Sequence, residues 1–229
     1  MNRNPLRQYF LGNQGRMIHK WDHYFDIYHR HLQGFRGRPI TLVEIGVYHG
    51  GSMEMWRSYL GRRARIIGID FDERVATLAD GTAEIVIGDQ SDRSFLASLR
   101  DRLGSIDIVI DDGGHTMEQQ LVSFDELWPA ISSGGVYIVE DLHTSYWPEF
   151  GGALRDSGSF IEFAKTIIDL QNAWHVRNEE LPVNDLTRSV RGLHSYDSVI
   201  VFDKDLVERP WAIRTGNPSF PLSEYGRGT

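Results

Sequence analysis

The chain has 229 residues, 41% of them hydrophobic, which is ordinary material for one α/β domain with a single sizeable core. A net charge of −8 argues against a polyanionic partner such as nucleic acid or an acidic membrane surface, and a neutral or cationic small molecule fits better. With no cysteine there are no disulfides, thiolate nucleophiles or thiolate metal sites, so any metal must be held by oxygen or imidazole.

No apolar run approaches the ~20 residues that span a bilayer, and the start MNRNPLRQYF has no signal-peptide core, so the expectation is a soluble cytoplasmic protein. The first predicted element is an aromatic amphipathic helix between Met17 and Leu32, where Met17, Trp21, Tyr24, Phe25, Tyr28 and Leu32 recur at helical spacing. Such a stripe suits packing or a homo-oligomer contact, and it brings Lys20 and Tyr24 within reach of a bound cofactor. Short Val/Ile runs at 41–45, 64–70, 83–87, 106–111 and 135–140 then alternate with helical segments at Met53–Leu60, Glu73–Leu78, Ser94–Arg102 and Thr116–Leu127. That alternation predicts five parallel strands in βαβ units, with the functional face at their carboxyl ends. Leu142–Gly158, rich in aromatics, Gly and Pro, reads as a long loop over that edge. A helix follows at Ser159–Trp174, then a mobile polar connector at Arg177–Arg191 and a closing hairpin of Leu193–Tyr196 and Ser198–Phe202. The tail Ser223–Thr229 is expected to fray.

The strand ends carry the chemistry. In VEIGVYHGGS (43–52), Gly46, Gly50 and Gly51 allow a sharp turn close to a ligand, while Glu44 would repel a diphosphate and suits a cofactor with an ammonium and a sulfonium. A nicotinamide site would want G-x-G-x-x-G, which this turn lacks. RIIGIDFD ends at Asp70, positioned to accept ribose hydroxyls, and GDQSD offers Asp89 or Gln90 to an adenine edge. VIDDGGH (109–115) delivers Asp111, Asp112 and His115 from one strand; GVYIVED (135–141) delivers Glu140 and Asp141 from its neighbour. Three carboxylates repel one another unless a hard cation sits among them, which favours Mg²⁺ at Asp112, Glu140 and Asp141, with Ca²⁺ and Mn²⁺ as the alternatives. Strand alternation separates Asp111 from Asp112, leaving Asp111 to the cofactor side or to backbone organisation, and Glu140 and Asp141 can share an ion only if the chain bends there. His115 could take a proton at neutral pH; His143 is the rival base, and Tyr146 and Trp147 are candidates to stack on a sugar.

VEIGVYHGGS, IIGIDFD, GDQSD, VIDDGGH and IVEDLHTSYWPEFGG together resemble the class I S-adenosylmethionine-dependent methyltransferases, and more narrowly the metal-dependent sugar O-methyltransferases of macrolide and other glycosylated natural-product pathways. The resemblance runs from about His19 to Lys204. It implies a Rossmann-like, mostly parallel seven-stranded sheet with a C-terminal antiparallel hairpin, formed by one methyltransferase domain. It also implies cofactor contacts at Glu44, Gly46, Ser52, Asp70 and Asp89, metal ligation by Asp112, Glu140 and Asp141, His115 as general base, and a small-molecule glycoside as acceptor. Relatives commonly carry an extra N-terminal domain with no counterpart in these residues, and often Ser where this chain has Gly114. The other readings are a catechol-type methyltransferase that needs no histidine base, and a non-catalytic cofactor-binding partner subunit.

Overall fold

The computed structural model describes residues 4–220, so the tail Ser223–Thr229 lies outside the described residues. Seven strands form one sheet in the order β3-β2-β1-β4-β5-β7-β6. They are β1 (Thr41–Ile45), β2 (Arg65–Asp70), β3 (Glu84–Ile87), β4 (Ile106–Asp111), β5 (Ile131–Val139), β6 (Val190–Tyr196) and β7 (Val199–Lys204). The first five pair in parallel, and β7 pairs antiparallel with β5 and β6. The expected class I methyltransferase sheet with its closing hairpin is therefore the one observed.

Both faces of the parallel strands are covered, which is why they read as continuous apolar runs. Leu42, Ile108, Ile110, Val136 and Ile138 pack beneath helices α2 (Tyr24–Leu32) and α3 (Gly51–Leu60), through Tyr28 and Trp56 among others. Val43, Ile45, Val109 and Tyr137 face helices α4 (Arg93–Leu103), α5 (Met117–Leu127) and α6 (Phe160–Gln171), where Phe124 and Phe160 form the centre. Helix α5 begins with a capping box between Thr116 and Gln119, so the residue after His115 is where the helix starts.

The N-terminal region differs from the expected single helix over 17–32. Helix α1 spans Pro5–Leu11, capped by the Asn4 side chain with Pro5 in its first turn, and α2 begins only at Tyr24. Residues 17–21 run without regular structure across the end of the sheet. Tertiary contacts override the helical periodicity here. A Cβ on Gly51 would overlap the carbonyls of Arg16 and Met17, so the segment lies directly on the β1–α3 turn, and Met17 and Trp21, 48% and 55% exposed, line a cavity instead of a helix core. Glu73–Leu78 forms 3₁₀ turns rather than an α-helix, α6 ends at Gln171 with a further 3₁₀ turn at Ala173–His175, and β6 starts at Val190, within the polar connector.

The strand order reverses direction between β1 and β4, and this is the point where open α/β sheets bind ligands. Gly46, at φ +94, leads out of β1, and a Cβ there would overlap the Asp112 carbonyl at the end of β4. Gly46→Ala is therefore expected to lose the ~1–2 kcal/mol of a residue forced to positive φ plus the strain of that overlap. Gly81→Ala, at φ +88 with open space around it, should lose only the first part. Chemical denaturation of the two variants checks this; equal losses would contradict it.

Candidate active site

A cavity of about 670 Å³ opens at this switch point, within the range of small-molecule sites. Gly46, Ser52, Asp70, Asp89 and Gln90 line it towards β1–β3, and Asp112, His115, Glu140 and Asp141 towards β4 and β5. Met17 to Trp21 and Tyr24 form its roof.

The sugar- and base-binding candidates have defined local work. One Asp70 oxygen accepts from the Val47 and Tyr48 amides at 2.9 and 3.0 Å, and the other accepts from Asp72 N at 3.0 Å, so the carboxylate shapes the turn after β1. Asp89 accepts from the amide and hydroxyl of Ser91. The Gln90 side chain points inward: it donates to Asp111 at 3.0 Å and accepts from Gly114 N at 2.8 Å. Asp111 is fully buried beneath the Gly113–Gly114 turn and is not on the cavity wall. Burial raises its pKa from 3.8 to about 7, against the hydrogen bond from Gln90.

Glu44 is likewise fully buried and off the cavity wall, with one oxygen accepting from Ser52 Oγ at 2.7 Å. Its neighbour is Lys20, whose ammonium lies 3.5 Å from Glu44, 2.5 Å from Asp112 Oδ2, and 3.0 and 3.1 Å from the two oxygens of Glu140. The Lys20 side chain is 3% exposed. Burial opposes its charge, but Asp112 and Glu140 outweigh that, and its pKa stands well above the ordinary lysine value. Burial and the Asp112 charge push Glu140 well up, and burial pushes Glu44 up, with Lys20 acting against both shifts. Tyr28 completes the Glu140 shell, donating to it at 2.6 Å. Helical spacing predicts Lys20 over a cofactor; its part in the carboxylate cluster, and that of Tyr28, leaves no mark in local sequence, because their partners lie on other elements, up to 120 residues away.

Glu140 and Asp141 diverge because the chain does bend. Asp141 adopts a left-handed conformation, φ 54, which turns its carboxylate away from Glu140 and up to Tyr24, whose hydroxyl donates to it at 2.7 Å. His115 is left-handed too, φ 60, with its carbonyl held by the Thr144 hydroxyl. Non-glycine residues at positive φ are uncommon and cluster at working sites. His115 Nε2 lies 3.8 Å from Asp112 and 3.5 Å from Asp141, and its buried Nδ1 has no hydrogen-bond partner. Burial lowers its pKa, against the two carboxylates. Asp112, His115 and Asp141 thus present ligand atoms within 4.8 Å of one another. His143 stands apart: its Nδ1 is tied to Ser198 Oγ at 2.6 Å, and its ring packs edge-on against Trp147 and Trp21.

Residues 43–142 match the family described as "Methyltransferase domain". The chain is 37% identical over 190 residues to the 8-demethyl-8-alpha-L-rhamnosyl tetracenomycin-C 2'-O-methyltransferase of Streptomyces olivaceus, covering 79% of this chain and 50% of that protein. It is 34% identical over 193 residues to the mycinamicin VI 2''-O-methyltransferase of Micromonospora griseorubida, covering 77% and 47%. Among solved structures it superposes on the MycE methyltransferase of the mycinamycin biosynthetic pathway, in complex with Mg, SAH and mycinamycin VI, with a TM-score of 0.77 at 30% identity, covering 89% of this chain and 53% of that one. The chain belongs to the class I methyltransferases and is related to the macrolide and rhamnosyl sugar O-methyltransferases. It spans about half the length of the curated relatives it matches. Among the described residues, no helix of this methyltransferase is long and apolar enough to cross a membrane.

Two predictions follow from the site's electrostatics. Lys20→Met leaves buried Glu44 and Glu140 without their cation and is expected to lower stability by roughly 3–5 kcal/mol, read by urea denaturation; a loss under ~1 kcal/mol would mean the ammonium is not their partner. Because Asp111 holds its proton more tightly when folded, it favours the folded state below pH ~4 and progressively less as pH rises to about 7. Asp111→Asn should flatten the stability profile across that window, with the variant gaining on the wild type towards pH 7.

Proposed function

We propose that this chain transfers a methyl group from S-adenosylmethionine to a hydroxyl of a sugar carried on a small natural product, with Mg²⁺ at the carboxylate cluster. The observation that carries this reading is the convergence of Asp112, His115 and Asp141 from the tips of two abutting strands, in the same cavity that Gly46, Ser52, Asp70 and Asp89 line. The donor chemistry fits: the carboxylates are hard oxygen ligands of the kind Mg²⁺ takes. The proteins it resembles support the acceptor class, since one acts on a rhamnosyl tetracenomycin and another on mycinamicin VI.

In this reading, Asp112 and Asp141 would hold the ion, while Glu140, expected as a third ligand, is engaged by Lys20 and Tyr28 instead, and the turn at Gly46 with Asp70 and Asp89 would hold the cofactor. When bound, the cofactor supplies an electrophilic methyl group and the ion a charge that acidifies an alcohol. A sugar hydroxyl gives up its proton far less readily than a phenol, so a positioned base matters. His115 Nε2 takes that proton. Its lowered pKa keeps the ring neutral and receptive at pH 7, and the carboxylates 3.5 and 3.8 Å away stabilise the imidazolium that results. Tyr24 fixes Asp141, while Lys20 and Tyr28 fix Glu140, so the acidic groups cannot swing apart. Trp21 and Trp147, 55% and 43% exposed at the rim beside His143, offer flat apolar faces to a sugar or its aglycone.

With a rhamnosylated polyketide acceptor, methyl transfer should stop in excess chelator and return on adding Mg²⁺. His115→Ala should lower kcat by about 10²–10⁴-fold, and the acid limb of the wild-type pH profile should fall below pH 6.5, because the base form persists to lower pH than in an unperturbed histidine. Methylation that survives the chelator, or a phenolic acceptor preferred with full activity in His115→Ala, would replace this reading with a metal-free or a catechol-type one.

A further inference from the structure

A second convergence of ligand-type side chains lies outside the cavity, where helix α2 meets the closing hairpin. His31 comes from the last turn of α2, His194 from edge strand β6 and Asp203 from β7, and their ligand atoms all lie within 4.8 Å of one another. Strand alternation makes this possible: Gly192, His194 and Tyr196 face the same side of β6, and Asp203 pairs directly opposite Gly192, next to the irregularity between Val190 and Gly192.

We propose that His31, His194 and Asp203 form a site for one imidazole-seeking dication of the Zn²⁺ type, which staples α2 to the hairpin. Two imidazoles and a carboxylate are a common zinc donor set and a poor one for Mg²⁺. The ring of His31 is oriented as a ligand would be. Its Nε2 bonds the Tyr196 hydroxyl at 2.9 Å, which leaves Nδ1 turned to Asp203 Oδ1 at 3.9 Å, too far for a hydrogen bond. Two ligands on a tetrahedral zinc sit about 3.3 Å apart. The 3.9 Å gap and the 2.7 Å contact between His194 Nε2 and Asp203 Oδ2 bracket that spacing, and His194 and Asp203, 41% and 36% exposed at the side chain, are free to adjust. Gly192 keeps the approach open: a Cβ there would stand 3.3 Å from Asp203 Oδ2 and 3.4 Å from His194 Nε2, with any longer side chain projecting over the ligands.

The position of the staple gives it a use. Tyr24, Tyr28 and His31 recur at i, i+4 and i+7 on one face of α2, and the first two hold Asp141 and Glu140. An ion at His31 would lock the helix that orients the acidic groups, from the opposite end.

The test is titration of the tag-free chain with Zn²⁺ alone, in excess Mg²⁺, by calorimetry, with Co²⁺ absorption as a second readout. Wild type should bind an equivalent of Zn²⁺ that survives Asp112→Asn, which disables the cavity cluster, and Zn²⁺ should raise its Tm. His194→Ala, at an exposed position, should weaken that equivalent by more than about 100-fold and abolish the Tm rise, and Tyr196→Phe should weaken it by about 10–100-fold. No Zn²⁺ uptake by the wild type, uptake unchanged in His194→Ala, or uptake lost only in Asp112→Asn would each overturn the proposal.

Discussion

A single ammonium group stands where three acidic side chains meet. Glu44 lies next to last in β1, Asp112 follows β4 and Glu140 follows β5, and without a cation their mutual repulsion and desolvation would force these strand ends apart. Lys20 reaches them only because residues 17–21 leave the helical path and cross the glycine turn after β1. The N-terminal segment is thus both the roof of the cavity and the counter-charge of its floor. That dual role couples the closure of the cavity to the integrity of the sheet edge beneath it.

The remaining constraints are hydrogen bonds that choose an orientation for each acid. Tyr28 and Lys20 turn Glu140 inward, and Tyr24, together with the left-handed backbone at Asp141, turns its neighbour outward. Asp111 goes down to Gln90 while Asp112 goes up to Lys20. Adjacent acidic residues therefore do different work, one of each pair supporting the backbone or the core and the other facing the cavity. Left-handed His115, held through its carbonyl by Thr144, completes an arrangement in which an imidazole sits between two carboxylates.

The hairpin side of the molecule repeats the theme with softer ligands. Helix α2 carries tyrosines toward the strand tips at one end and a histidine toward β6 and β7 at the other. Its placement on the sheet sets which acids Tyr24 and Tyr28 reach. The antiparallel strands are therefore more than a cover for the sheet edge.

Much of this was legible in the sequence. Continuous apolar runs broken by helical segments mark a parallel sheet covered on both faces, because such strands bury both sides of the pleat. The glycines at 46 and 51 and the acids at each strand end marked the working edge, since only a turn or a site needs those residues there. Other features were decided by contacts between distant segments. The pattern from Met17 to Leu32 is helical in period, yet its first third is pulled straight by Lys20 pairing with acids on other elements, up to 120 residues on. Glu44 and Asp111, which by residue type belong to a ligand site, are buried beneath it, because alternation along a strand fixes which face a side chain takes but not what covers that face. Charge pairing across the fold has no local period, so only the folded chain could assign it.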